Sequence, residues 1–477
     1  MSVGRLRVAA LVVTGVLVAS AGAVVGLDAT GNLSTGLLPE ATPTPTPTPT
    51  RSLDPAPVDA PAVLASEPAA ADPMPVLPTE ALVRVLTSGA LGPDPGAVVL
   101  DVATGTSLLD RSGSVARTPA SVAKLATGAA ALVALDPSSR LTTRVVRGPA
   151  PGEVVLVGAG DSTLTTPRPR AGAYPQRASL AELADSTAAA LTADATQRVT
   201  VRVDDSLFAG PAVSPDWRSS YVVSGVVSPV SALSLDAGRV RPTGDARESD
   251  PALAAGRAFA RLLERRGVPV EGEVARAEAP AGAGDVAAVS SPTVAELVEL
   301  MLQSSDNDLA ESLLRLAAVA RDRPGTFADG TAVVAEVLTD LGVPTDGTTL
   351  LDGSGLARGS AVAPETLARL LVVASDGSRP ALDHLVTGLP VAGFSGTLSL
   401  RYGTGRSGTA AGLVRAKTGT LTGVSTLAGV TSADGRPIVF VVMSDTVPGD
   451  TLAARAALDR FAAILAGEPE TPSTSGG

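Results

Sequence analysis

Only two of the 37 lysine and arginine residues in this 477-residue chain are lysines, Lys124 and Lys417. Each stands in a short motif, Ser121-Val122-Ala123-Lys124 and Lys417-Thr418-Gly419-Thr420. A guanidinium stays protonated in an ordinary protein site, whereas a desolvated lysine can lose its proton and act as a base. Asparagine is as sparse, with Asn32 near the N-terminus and Asn307 in Ser305-Asp306-Asn307. A bias towards GC-rich codons accounts for this scarcity and makes the surviving lysines more informative. Ser121 and Lys124 are three apart near the start of a predicted helix, so both side chains share one face within hydrogen-bond reach. The free N–H groups and positive dipole of that helix start would stabilise an oxyanion beside Ser121. Serine is a weak nucleophile until its proton is taken. A lysine desolvated in a cleft, close to a second lysine, would have its pKa lowered enough to take it.

The other two motifs read as substrate-holding elements. Lys417-Thr418-Gly419-Thr420 falls on a predicted strand, where Gly419 would let a substrate backbone lie against the strand edge. Lys417, Thr418 and Thr420 would then bind a substrate carboxylate. Ser305-Asp306-Asn307 falls where one helical stretch ends and another begins. There Asp306 reads as a cap bonding to backbone N–H groups while Ser305 and Asn307 face the cleft.

The elements that must position these residues follow from periodicity and turn residues. Residues 98–102 and 107–110 read as a hairpin around Ala103-Thr104-Gly105-Thr106. A helix follows, with Thr118 as cap and Pro119 in its first turn, running past Lys124. Residues 141–285 read as a β-rich insertion with strands at 153–157 and 199–203. A helix at 294–303 breaks at 304–307 and resumes through 316. Residues 414–420, 424–431 and 437–444 read as an antiparallel meander, followed by a final helix at 451–465. The expected organisation is thus a first catalytic part at 79–140, the insertion at 141–285, a second catalytic part at 286–467 and a tail at 468–477.

The N-terminus reads as a targeting segment. Arg5 and Arg7 precede an uncharged apolar run at 8–27, long enough to span a bilayer yet containing small-residue cleavage patterns at 19–21 and 21–23. Residues 1–31 are therefore expected to act as a signal peptide or a membrane anchor, inserted in or processed at the cytoplasmic membrane, with the rest of the chain outside the cytoplasm. Residues 32–78, with Thr-Pro alternation at 41–50, read as an extended linker. A net charge of −11 argues against nucleic acid as a partner. The absence of cysteine excludes thiol chemistry and disulfides, and a single histidine, His384, disfavours a zinc site or a Ser-His-Asp triad. No metal and no cofactor is expected, and His384 reads as a surface or packing residue.

Taken together, the three motifs match, in order, the S-x-x-K, S-D-N and K-T-G set of penicillin-binding proteins and class A β-lactamases. The long interval between Ser121 and Ser305 leaves room for one or more inserted domains. In this the chain resembles class C low-molecular-weight penicillin-binding proteins, the S13 family of D-alanyl-D-alanine carboxypeptidases/endopeptidases. Segments 160–164, 203–208, 229–236, 351–356 and 389–393 are also similar to that family. The resemblance extends over roughly residues 80–466, and the insertion looks shorter than in the fullest members.

It implies an α/β (α+β) fold of the serine β-lactamase/DD-peptidase type. An antiparallel sheet would be flanked by helices, with an all-helical subdomain and the inserted β-rich domain. It also implies a cycle in which Ser121 is the nucleophile, Lys124 its base, Ser305 a proton relay and Lys417 a tuning charge. Asn307 would hold the peptide, Thr418, Gly419 and Thr420 would line the carboxylate site, and the N–H groups of Ser121 and Thr420 would form the oxyanion hole. The implied partners are peptidoglycan peptides ending in D-Ala-D-Ala, with β-lactams as inhibitors.

Two other readings compete. A class A β-lactamase needs a glutamate for deacylation, but Glu336-Val337-Leu338-Thr339-Asp340 lacks the expected Leu-Asn ending and reads as a solvated helix face. A non-catalytic cell-wall scaffold would be favoured by loss of Ser121, Lys124 or Lys417, and all three are present. Asp352-Gly353-Ser354-Gly355 reads equally as cleft lining or as a tight turn.

Overall fold

A computed structural model of the chain describes residues 74–403, 406–449 and 451–467. The targeting segment, nearly all of the linker and the C-terminal tail read from the sequence lie outside the described residues. Along the chain the strands are β1 (Gly96–Asp101), β2 (Ser107–Arg111), β3 (Arg140–Arg147), β4 (Glu153–Val157), β5 (Thr200–Asp204), β6 (Ala275–Arg276), β7 (Asp285–Thr293), β8 (Arg415–Leu421), β9 (Val424–Ala433) and β10 (Arg436–Ser444). The helices are α1 (Thr79–Leu86), α2 (Lys124–Ala134), α3 (Leu180–Ala193), the single turn α4 (Ser220–Val223), α5 (Pro251–Glu264), α6 (Val294–Ser304), α7 (Asn307–Val319), α8 (Phe327–Asp340), α9 (Pro364–Val373), α10 (Asp383–Thr387) and α11 (Thr451–Leu465).

The first sheet has the order β2-β1-β10-β9-β8, every neighbour antiparallel. Successive strand residues point to opposite faces, and here both faces are covered. Ala97 and Val99 of β1, with Ile438, Phe440 and Val442 of β10, pack against α1 and α11. Val98 and Leu100, with Val439, Val441 and Met443, pack against α2 and the α6–α9 helices. This arrangement leaves β8 at the edge of the sheet, and β8 carries Lys417-Thr418-Gly419-Thr420.

The second sheet has the order β6-β5-β4-β3-β7, with β4–β5 and β5–β6 parallel and the β3 pairings antiparallel. The strands expected at 153–157 and 199–203 are β4 and β5. Two 14-residue helices absent from the sequence reading, α3 and α5, follow β4 and β5 in the chain. Parallel neighbours cannot be linked by a tight hairpin, and α3 supplies the crossover from β4 to β5. Leu183 and Leu191 of α3 and Phe259 and Leu263 of α5 share a core with Val145, Leu156 and Val201. The segment is therefore mixed α/β.

Local geometry departs from expectation at the Ser121 helix. A 3₁₀ turn, Ala120–Ala123, leads into α2, and Thr118 makes no cap. The Thr118 N–H donates to Asp445 Oδ2 at 3.2 Å and its hydroxyl to the Arg358 carbonyl at 3.4 Å. Ala120 sits at φ +48°, and a Cβ on the facing Gly355 would meet the Ala120 oxygen at 1.9 Å. Tertiary contact therefore sets the start of this helix in place of a side-chain cap. The helix break is where the sequence put it: α6 starts in a Thr293/Glu296 capping box and ends at Ser305, whose φ is +56°. Asp306 then caps α7 by accepting the Leu309 N–H at 2.9 Å.

Candidate active site

Three elements converge on Ser121: its own 3₁₀ turn, the α6–α7 break and the β8 edge. Lys124 Nζ donates to Ser121 Oγ at 3.0 Å, Asn307 Oδ1 at 2.8 Å and the Ser354 carbonyl at 2.8 Å. Lys417 Nζ donates to Ser305 Oγ at 2.9 Å and to its neighbour's carbonyl, Thr418 O, at 2.8 Å. Both lysines are fully buried. A cavity of about 830 Å³ opens above them, lined by Ser121, Ser305, Thr397, Thr418 and Thr420 and reaching Arg455 and Arg460 of α11. Thr418 Oγ1 donates to Thr397 Oγ1 at 2.9 Å, and the Thr420 side chain is exposed. Every residue singled out from the three motifs thus falls in one place, with hydroxyls facing the cavity and amines beneath them.

Gly419 makes a close approach that the sequence did not announce. A Cβ there would lie 2.2 Å from Thr426 Oγ1, 2.9 Å from Pro119 O and 3.0 Å from Ser121 N. Its missing side chain makes room for the Ser121 turn against β8. The close approach brings the Ser121 N–H beside the strand that carries Thr420.

Burial governs the charge of both amines. It pushes Lys124 down to about 8, against the pull of the carboxylates of Glu311, Asp352, Asp306 and Asp308. Lys417 lies well below the ordinary lysine range, first because of burial and then because of the Lys124 charge. The expected lowering by a second lysine therefore falls on Lys417, while Lys124 is lowered by desolvation.

Beneath the lysines is a layer of which the sequence reading singled out only the Asp352-Gly353-Ser354-Gly355 segment. Glu311 accepts the Gly353 and Ser354 N–H groups at 2.9 and 2.8 Å. Asp352 accepts from Trp217 Nε1 at 2.8 Å, Gly355 N at 2.9 Å and Ala357 N at 2.7 Å. The segment Asp352-Gly353-Ser354-Gly355 is a buried turn that offers a carbonyl to Lys124, and it is not part of the cavity wall. Asp308 accepts the Ser228 N–H at 2.6 Å and pairs with Arg247 at 3.2 Å. Asn307, Glu311 and Arg315 recur every four residues on α7, a helical spacing that carried a signal of this layer. Glu336, the glutamate weighed for deacylation, instead pairs with Arg323 at 2.7 Å on α8.

The sequence model described as the D-Ala-D-Ala carboxypeptidase 3 (S13) family matches residues 79–248 and 245–465. The chain is 37 % identical over 419 residues to Carboxypeptidase DacB of Mycolicibacterium smegmatis, covering 84 % of this chain and 89 % of that protein. It is 35 % identical over 374 residues to Carboxypeptidase Rv3627c of Mycobacterium tuberculosis, covering 77 % of this chain and 79 % of that protein. The crystal structure of penicillin binding protein 4 (dacB) from Haemophilus influenzae shares the fold, with a TM-score of 0.66 at 24 % identity over 81 % of this chain and 98 % of that one.

Proposed function

The chain belongs to the D-Ala-D-Ala carboxypeptidase 3 (S13) family, and from that premise we propose the division of labour in its active site. It is a serine-type D-Ala-D-Ala carboxypeptidase, a hydrolase of peptidoglycan stem peptides. Ser121 Oγ attacks the carbonyl of the penultimate D-Ala, and Lys124 takes the hydroxyl proton. The observation that carries this assignment is the set of three partners around Lys124 Nζ. A neutral amine has two hydrogens. With these on Asn307 Oδ1 and Ser354 O, its lone pair is left facing Ser121 Oγ.

As the C–N bond breaks, Ser305 relays a proton to the departing D-Ala nitrogen, its hydroxyl held by Lys417 at 2.9 Å. Thr418 and Thr420 take the terminal carboxylate, and the N–H groups of Ser121 and Thr420 hold the oxyanion. One Asn307 Nδ2 hydrogen goes to Val226 O at 2.9 Å, which leaves the other for a substrate carbonyl. Water then attacks the acyl-serine and gives its proton to Lys124, which returns it to Ser121 Oγ as the ester C–O bond breaks and the shortened peptide leaves. β-Lactams, which resemble the D-Ala-D-Ala end, acylate Ser121 by the same route. This substrate sets the enzyme to work on the cell-wall side of the cytoplasmic membrane, delivered there by residues 1–31 as a signal or anchor. The cavity's extent towards α11 supports room for a leaving group larger than one alanine, as endopeptidase action on cross-links requires.

D-Ala release from an N-acylated peptide ending in D-Ala-D-Ala tests the reading. Wild-type protein should free one D-Ala per peptide, and Ser121→Ala should lose at least about 10⁴-fold in rate. Release by the variant at the wild-type rate would sink the assignment.

A further inference from the structure

Glu311 is a carboxylate that the catalytic cycle does not use. It is fully buried on α7, one helical turn beyond Asn307. Its two oxygens accept the N–H groups of Gly353 and Ser354 at 2.9 and 2.8 Å. The Gly353 carbonyl takes the Thr127 hydroxyl at 2.7 Å, and the Ser354 carbonyl takes Lys124 Nζ at 2.8 Å. Glu311 is therefore the anchor of the short segment whose carbonyl aims the catalytic amine.

We infer that Glu311 is a positioning residue for acylation, fixing the Ser354 carbonyl and setting, by its negative charge, the pH at which Lys124 becomes a base. The inference rests on the Ser121–Lys124 reading above. Glu311 does not line the active-site cavity, so it is not placed to activate a substrate or a deacylating water. It has no ion-pair partner among the described residues. Lys124 faces it from α2, Arg315 from its own helix and Asp352 from the buried turn. The guanidinium of Arg315 is turned away, donating to the Ala209 and Pro211 carbonyls and lying 4.0 Å from the Phe327 ring centre. Around Lys124 itself, Asp306 and Asp308 add negative charge, and Lys417 is the neighbouring amine. Burial and the nearby Asp352 push Glu311 up, while the Gly353 and Ser354 N–H groups, one on each oxygen, favour its charged form.

The test is the pH dependence of acylation by benzylpenicillin, followed on the whole chain from about pH 5 to about pH 10 for wild type, Glu311→Gln and Glu311→Asp. Removing the negative charge favours neutral Lys124. The acidic midpoint of Glu311→Gln should therefore move to lower pH by about one unit or more. Its plateau should fall roughly tenfold, because the amide nitrogen that replaces one carboxylate oxygen cannot accept the backbone N–H bonded there. Glu311→Asp should bring the midpoint back towards wild type while the plateau stays low, since the charge returns but the reach does not. A Glu311→Gln midpoint equal to wild type, whatever its plateau, would overturn the inference. So would failure of both variants to fold, which would make the residue purely structural. A wild-type protein that is not acylated at all would remove the Ser121–Lys124 reading, and this inference with it.

Discussion

Lys124 as an ammonium has three hydrogens for three acceptors, and as an amine it has two. Only the second state leaves Ser121 a base, so loss of one proton separates the resting site from the reactive one. The acylation rate should therefore be lost as pH falls through the Lys124 value of about 8 and be restored above it. An acidic limb near the ordinary lysine value of about 10.4 would contradict this. Lys124→Arg keeps the positive charge but cannot lose it, so acylation should fall by about 10²–10⁴-fold while circular dichroism shows an intact fold. The side chains to which we assign the chemistry drew attention in the sequence because the lysines and Asn307 are rare types there and Ser121 and Lys124 are close in the chain. Glu311 and Trp217 did not, and the Asp352 turn was read without its partners, because these roles depend on contacts between segments far apart in the chain. Ser354 acts through its backbone carbonyl, which no residue type announces.

Individual elements hold the site by a few close contacts. Gly419→Ala would place a methyl group 2.2 Å from Thr426 Oγ1 and 3.0 Å from Ser121 N. Strand β8 must then move away from the nucleophile's turn. Penicillin acylation of that variant should drop at least about 100-fold, and a rate equal to wild type would show that the contact does not matter. On the far side of the same sheet, fully buried Asp101 at the end of β1 bonds Arg436 at the start of β10 at 2.7 and 3.1 Å. Hydrogen bonding to Arg436 is the first cause that holds its carboxyl at about 2, below the reference 3.8. The stability it contributes is present above pH 3.8 and is lost as pH falls towards 2. Asp101→Asn should cost roughly 2 kcal/mol at neutral pH, with the gap from wild type closing in acid unfolding curves below about pH 4. Strands and the α6–α7 break were readable from alternation and capping residues. The left-handed backbone at Ala120 and Ser305 was not, since neighbouring segments impose it.

At the scale of the whole molecule, the segment between Ser121 and Ser305 does more than add mass. Trp217 reaches Asp352, Val226 takes the Asn307 amide, and Ser228 and Arg247 hold Asp308. The insertion thus buttresses the helix and the turn that aim Lys124. Trp217→Phe keeps most of the packing but removes one donor from a buried carboxylate, a contact worth about 1.5–3 kcal/mol. Acylation should slow by several-fold to about tenfold, and an unchanged rate would separate the insertion from catalysis. The length of the interval announced additional structure there, but not its parallel strands or its α3 and α5 helices. Those helices are rich in alanine, and their apolar face is plain only once β3, β4 and β5 lie against it.

Intact-mass analysis after benzylpenicillin, run beside Ser121→Ala, tests the central claim most directly. A stable increment of one penicillin on the wild-type chain, absent from the variant, is the expected result. A folded wild-type chain that gains no mass without consuming the drug, or a variant that gains the same increment, would contradict an acyl-enzyme on Ser121.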